Sequence, residues 1–198
     1  MRREDVGSEP DPRFGKLDRA AKLLALGAAR ALAGRALVRE RTGVVLASFT
    51  GCLAADERFD ETRARPEGPS PALFPATLPT SPAAELSIRL GLGGPVFSVR
   101  AGIRTALALA SSLVRAGDAE LVLACGLEVP ARGVKTLLGT DARESVSVLV
   151  VDRALALRAR LPVTDTLDLP RGPLLANEEA LALAAELGLR APWSNSTP

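Results

Sequence analysis

Residues 91–128 read GLGGPVFSVRAGIRTALALASSLVRAGDAELVLACGLE, and the fold follows from how this run divides. Val96 to Val99 is a short β-prone run, Arg100 to Gly102 a tight turn, and the Ala/Leu-rich stretch from Ile103 a long helix. Gly117-Asp118 breaks the helix, and Leu121 to Ala124 reads as a second, buried strand. Strand, turn, helix, strand places one residue at a helix N-terminus, where unpaired backbone N–H groups and the dipole favour negative charge. A nucleophile would belong there, and the occupant is Ile103.

Around this run the chain has 198 residues and is 47% hydrophobic, enough for one domain with a full core. Lys+Arg 25 against Asp+Glu 23 gives a net charge of +2, a near-balance that supplies no basic field for nucleic acid. Cys52 and Cys125 are far apart and lack metal-ligand spacing, so they read as reduced thiols packed as small hydrophobes, the pattern of a cytoplasmic protein. Neither a metal nor another cofactor is expected. Paired arginines at the N-terminus have no apolar run behind them, and no stretch reaches membrane-spanning length, so no export signal or membrane insertion is expected. The chain contains no histidine, which removes the usual proton shuttle near neutral pH.

Residues 1–15 are charged and Pro/Gly-containing and read as a flexible arm before a domain at 16–160. Apolar residues recur at helical spacing from Leu17 to Val38, with Asp18 at the start and Gly34 weakening the last turn. VVLASF between Gly43 and Gly51 reads as a buried parallel strand. Gly51 to Thr62 fits a short helix, and the prolines between Arg63 and Pro82 require a surface loop. Ser81-Pro82 suits a helix entry, with Ser81 as N-cap and a stop at Gly91. Val129 to Asp141 reads as a linker and Ser145 to Val151 as a strand ending at Asp152. Residues 161–198 hold a Pro-marked connector, a helix from about Ala176 to Leu189, and a frayed tail. Alternating strands and helices give an α/β fold with a mostly parallel sheet flanked by helices.

Other candidate sites are weak. Ser48, Ser111 and Ser112 lack a GxSxG elbow. Asp56, Glu57 and Asp60 fit a solvated helix face better than a carboxylate pair. GLGG at 91–94 follows a helix and enters a strand, the reverse of a dinucleotide fingerprint, so its glycines serve termination and turning.

Taken in order, DRAAKLLALGAARALAG leading into TGVVLASFTG, LFPATLPTSPAAELSIRLGLGGPVFSV, RAGDAELVLACGLE and ARESVSVLVVD resemble the N-terminal half of a β-ketoacyl synthase over about residues 17–155. The resemblance implies a thiolase-like fold, here a single βαβαβ-type repeat. Family members carry a Thr-Ala-Cys elbow after the Gly-Pro strand; that tripeptide falls on Ala101-Gly102-Ile103, and an isoleucine cannot carry an acyl thioester. The family's remaining catalytic residues, two histidines or a histidine and an asparagine, come from a second repeat beyond this chain's match, and the run before the closing strand is shortened to VPARGVKTLLGTDARE.

By the same resemblance, Val96, Phe97, Ser98 and Val99 form the candidate dimer interface, and the face that packs on a second repeat is expected to lie uncovered unless the last helix folds back over it. The implied role is a non-catalytic ketosynthase-like subunit, chain-length-factor-like or scaffolding, in fatty-acid or polyketide-type biosynthesis. It would form a homodimer or a heterodimer with a complete ketosynthase, with an acyl carrier protein as a further partner. The alternative is a composite acyltransferase in which Cys125 or Cys52 works with a partner chain's histidines.

Overall fold

The computed structural model describes residues 12–133 and 144–159, together with 182, 185 and 186. Among the described residues the helices α1 Pro12–Lys16, α2 Arg19–Ala31, α3 Leu53–Arg63, α4 Ser81–Leu90, α5 Ile103–Ala116 and α6 Arg153–Arg158 accompany the strands β1 Thr42–Ala47, β2 Val96–Val99, β3 Leu121–Glu128 and β4 Ser145–Val151. The strands form one sheet in the order β2-β1-β3-β4. β1 pairs in parallel with both β2 and β3, and β4 closes the other edge antiparallel to β3. This is the expected mostly parallel α/β sheet flanked by helices.

Every residue of β1 is buried, as a central parallel strand requires. Val44, Leu46, Leu123, Cys125 and Leu127 face a core built with α2 and α4. Val45, Ala47, Val122, Ala124, Leu149 and Val151 face a second core built with α5 and α6. Helices therefore cover both faces of the sheet, which corrects the expectation of an uncovered sheet face. Packing on the chain's own helices removes that apolar surface from water, and β2 and β4 are the two edges of the described sheet.

Several boundaries differ from the sequence reading. α2 ends at Ala31 and not Val38, and Gly34 turns with a φ of +75°. Asp18 caps α2 by accepting from Ala20 N at 3.0 Å. Thr80, not Ser81, is the N-cap of α4, while Gly91 ends that helix in the left-handed conformation, as expected. The Pro-rich loop includes a 3₁₀ turn at Phe74–Thr77. β3 runs four residues beyond Ala124, and Asp152 caps α6, a helix the sequence reading lacked, by accepting from Leu155 N at 2.8 Å. The last part of the expected N-terminal arm is helical α1, whereas residues 1–11 lie outside the described residues. So do residues 134–143, most of the helix expected over 176–189, and the tail; Ala182, Ala185 and Glu186 are helical.

Candidate functional site

Open parallel sheets place functional groups beyond the C-terminal ends of their strands. At that end three exits meet here: Ser48 to Cys52 after β1, Arg100 to Gly102 after β2, and Glu128 at the end of β3. The chain turns from β2 into α5 through Gly102, an extended N-cap without a side-chain hydrogen bond. Ile103 follows as the first helical residue, 1% exposed, in the core that includes Val45, Ala124 and Leu149. Gly126 of β3 lies beneath it, and a Cβ added there would stand 3.3 Å from Ile103 Cβ. The elbow side chain is thus part of the core.

Glu128 ends β3, 2% exposed, and is a residue the sequence reading did not single out. Its Oε1 accepts from Phe49 N at 2.7 Å, and its Oε2 accepts from Thr50 N at 3.0 Å, Thr50 Oγ1 at 2.7 Å and Ser48 Oγ at 3.4 Å. Ser48 Oγ also accepts from Gly51 N at 2.8 Å. A buried carboxylate satisfied in this way fixes the β1 exit loop to the end of β3. The available signal was one acidic residue closing an apolar strand, with Ser48 and Thr50 after the neighbouring one.

The two thiols do not meet the elbow. Cys125 precedes Gly126, so strand alternation turns it to the opposite sheet face from Ile103, among Val44, Leu46 and Leu123. It is fully buried, its Sγ donates to Leu123 O at 3.5 Å, and burial pushes its thiol far up. Cys52, at the N-cap of α3, is half-buried and lines two grooves, one of about 260 Å³ with Asp18, Arg58 and Glu144, the other of about 310 Å³ with Phe49, Pro79 and Arg100. Its Sγ donates to Asp56 Oδ2 at 3.3 Å. Burial, joined by that carboxylate, pushes the Cys52 thiol up to about 11. Both cysteines are thiols, not thiolates, near neutral pH, the unreactive form.

The other candidates serve the fold. Glu57 accepts from Arg132 N and Gly133 N, both at 2.7 Å, contacts that hold its carboxyl below the usual range, and Asp60 pairs with Arg63 at 2.9 Å. Ser111 is buried in α5. Within GLGG, Gly93 N donates to Arg39 O and Gly94 N to Thr42 O, and a Cβ at Gly94 would come 2.5 Å from Thr42 C, so the run seats the β2 entry against the start of β1. Among the described residues no group of three or more His, Cys, Asp or Glu could hold a metal, and no helix is long and apolar enough to cross a membrane.

At the sheet edge, Val96 and Phe97 are 36% and 43% exposed. Pro95 O accepts from Val44 N of β1, and Val99 O accepts from Ser48 N just after it. Alternation along a parallel strand then turns the backbone groups of Val96 and Ser98 to the open side.

Three kinds of comparison bear on this arrangement. The family described as the N-terminal domain of β-ketoacyl synthases matches residues 7–149. No curated protein sequence matches. The ishigamide ketosynthase/chain length factor is similar in structure with a TM-score of 0.60 at 25% identity, over 75% of this chain and 49% of that one. A ketosynthase in complex with its chain length factor from Xenorhabdus doucetiae gives a TM-score of 0.57 at 22% identity, over 73% and 62%. A β-ketoacyl synthase from Burkholderia phymatum gives 0.56 at 16% identity, over 92% and 57%. The chain thus spans about half to three fifths of these structures' lengths.

Proposed function

Because the chain belongs to the β-ketoacyl synthase family through its N-terminal domain, we propose that it is a non-catalytic ketosynthase-like subunit, chain-length-factor-like or scaffolding, in fatty-acid or polyketide-type biosynthesis. The observation that carries this reading is Ile103: at the elbow where the family holds its thiol, an aliphatic side chain is packed into the core against Gly126. Neither cysteine offsets that loss, since both are protonated and Cys125 lies on the other face of the sheet. Two of the similar structures pair a ketosynthase with a chain length factor, which supports a ketosynthase as the partner.

In this reading β2 supplies the pairing edge. Its outward backbone groups can extend the sheet into a partner strand, with Val96 and Phe97 burying apolar surface beside them. An acyl carrier protein is the further partner, the compartment is the cytoplasm, and residues 16–160 form the synthase-like domain.

Co-expression with a panel of complete ketosynthases, followed by light scattering, tests the proposal. A 1:1 complex is expected, together with no condensation of acyl thioesters by the 20.6 kDa chain alone. A monomer that binds neither synthase nor carrier protein at micromolar concentration, or an isolated chain that joins two acyl units, would sink it.

A further inference from the structure

Two polar groups at the end of β2 have no partner among the described residues. Ser98 Oγ is buried and makes no hydrogen bond. Arg100, exposed just beyond the strand, makes no hydrogen bond or ion pair there either. A buried hydroxyl left unpaired costs stability, so its presence calls for a physical account. Both residues line the groove of about 310 Å³ that lies between the end of β2 and the start of α3.

Ser98 is in register with Leu46, which faces the core of α2 and α4, so Ser98 points to that same side of the sheet. Its backbone N–H and C=O turn to the open edge, as alternation along β2 requires. A strand added at that edge would set one residue directly beside Ser98. Neighbouring residues on adjacent strands point to the same face whichever way the added strand runs, so that side chain enters the groove. Leu46, Leu53 and Pro79 give the groove apolar walls, and its own carboxylate, Asp56, is engaged by Cys52, whose Sγ donates to it at 3.3 Å.

We propose that β2 takes a partner strand bearing an aspartate or glutamate beside Ser98. The carboxylate pairs with Arg100 and accepts a hydrogen bond from the Ser98 hydroxyl, turned to it by one rotamer step, so charge-assisted bonds satisfy both groups at once. The inference rests on β2 as the pairing edge and selects among the partners that edge could take. Residues 94–100 read GPVFSVR and hold no carboxylate, so a second copy pairing through its own β2 leaves Arg100 without a counter-charge. The strand therefore belongs to a different chain.

The full-length chain is titrated with two labelled peptides, short strands of alternating threonine and valine that differ only in a central glutamate or glutamine, and binding is read by fluorescence polarisation. The glutamate peptide is expected to bind at least about tenfold more tightly, the lower end for a hydrogen bond to a charged group. Added salt should shrink the difference. Arg100→Gln should abolish it. Ser98→Ala should reduce it while leaving the urea midpoint of the isolated chain unchanged or raised, because the hydroxyl it removes has no partner there. Equal binding of the two peptides, or none up to millimolar concentration, overturns the proposal. So does a homodimer that Phe97→Glu dissociates and Arg100→Gln leaves intact. A ketosynthase complex indifferent to both Arg100→Gln and Ser98→Ala overturns this inference and leaves the ketosynthase reading standing. A glutamate preference in a chain that binds no ketosynthase supports the inference and removes that reading's partner.

Discussion

Ile103 and Gly126 share one space: a Cβ built on Gly126 would stand 3.3 Å from Ile103 Cβ and 3.5 Å from its Cδ1. Glycine inside a strand ordinarily weakens it, and here it admits a neighbour instead. The first residue of α5 rests directly on β3, which fixes where the helix begins and leaves the elbow filled by hydrocarbon.

Truncating either partner of that contact should reveal the sharing. Ile103→Ala is expected to cost about 2–5 kcal/mol in urea unfolding, the range for deleting a buried aliphatic side chain. Gly126→Ala should destabilise the wild-type chain and cost less in the Ile103→Ala background, with a coupling of about 0.5–3 kcal/mol. Strictly additive losses would show that the two positions do not compete for volume.

Restoring a thiol at the elbow should not restore chemistry. The Ile103→Cys variant places sulfur at the family's position, but the chain holds no histidine to take or return a proton. Incubated alone with acyl thioesters, it is expected to give no condensation product by mass spectrometry. Turnover by this variant without a partner would mean that another group in the chain moves the proton.

Much of this was readable in the residues, and the gaps have physical causes. VVLASF, SVSVLVV and the Ala/Leu helix announce themselves because each buries a continuous or periodic apolar set. The end of β3 was hidden because Gly126 and Glu128 are poor strand formers, and only Ile103 above one and the Ser48–Thr50 loop around the other make them fit. α6 is too short to show a period, so it depends on the Asp152 cap and on packing against α5. The apolar pair Leu37-Val38 prolonged the pattern of α2 past Ala31, although Gly34 already turns the chain. The handedness of cover on the sheet, with helices on both faces, is a tertiary fact that no local pattern carries.

Glu128 should behave as a structural carboxylate. Glu128→Gln keeps the shape but turns an amide toward the N–H groups of Phe49 and Thr50, leaving one donor unpaired, and is expected to cost about 1–3 kcal/mol. Glu128→Ala should cost more and loosen the Ser48–Cys52 loop, visible as faster alkylation of Cys52 in native buffer. Stability unchanged in both variants would remove the carboxylate from the frame of the site.

Cys52 should titrate late. With its thiol at about 11, about one thousandth is ionised at pH 8, so iodoacetamide should react on the order of a hundredfold more slowly than with a free cysteine and accelerate up to about pH 11. Asp56→Asn removes the charge while burial persists, so the profile should move down only part of the way. The sign for stability follows: the folded value lies above the ordinary 9.0, so the contribution is complete below pH 9 and is lost as pH rises through 11. A Cys52 profile centred near 9 would show that neither burial nor Asp56 acts on it.

The β2 edge supplies the sharpest separation of folding from assembly. Phe97 is 43% exposed, so Phe97→Glu should change the stability of the isolated chain by no more than about 1 kcal/mol, as for other surface substitutions. In a strand-to-strand interface the same carboxylate would be desolvated without a partner, at the cost of a central contact worth about 2–4 kcal/mol, which weakens binding to the ketosynthase by about thirtyfold to a thousandfold. Leu157→Glu is the matched control: the residue is 56% exposed on α6, beside β4 and across the sheet from β2, and its replacement should leave binding intact. Titration calorimetry on the two variants decides between edges, because loss of binding with Leu157→Glu and not with Phe97→Glu would move the interface to the opposite side of the domain.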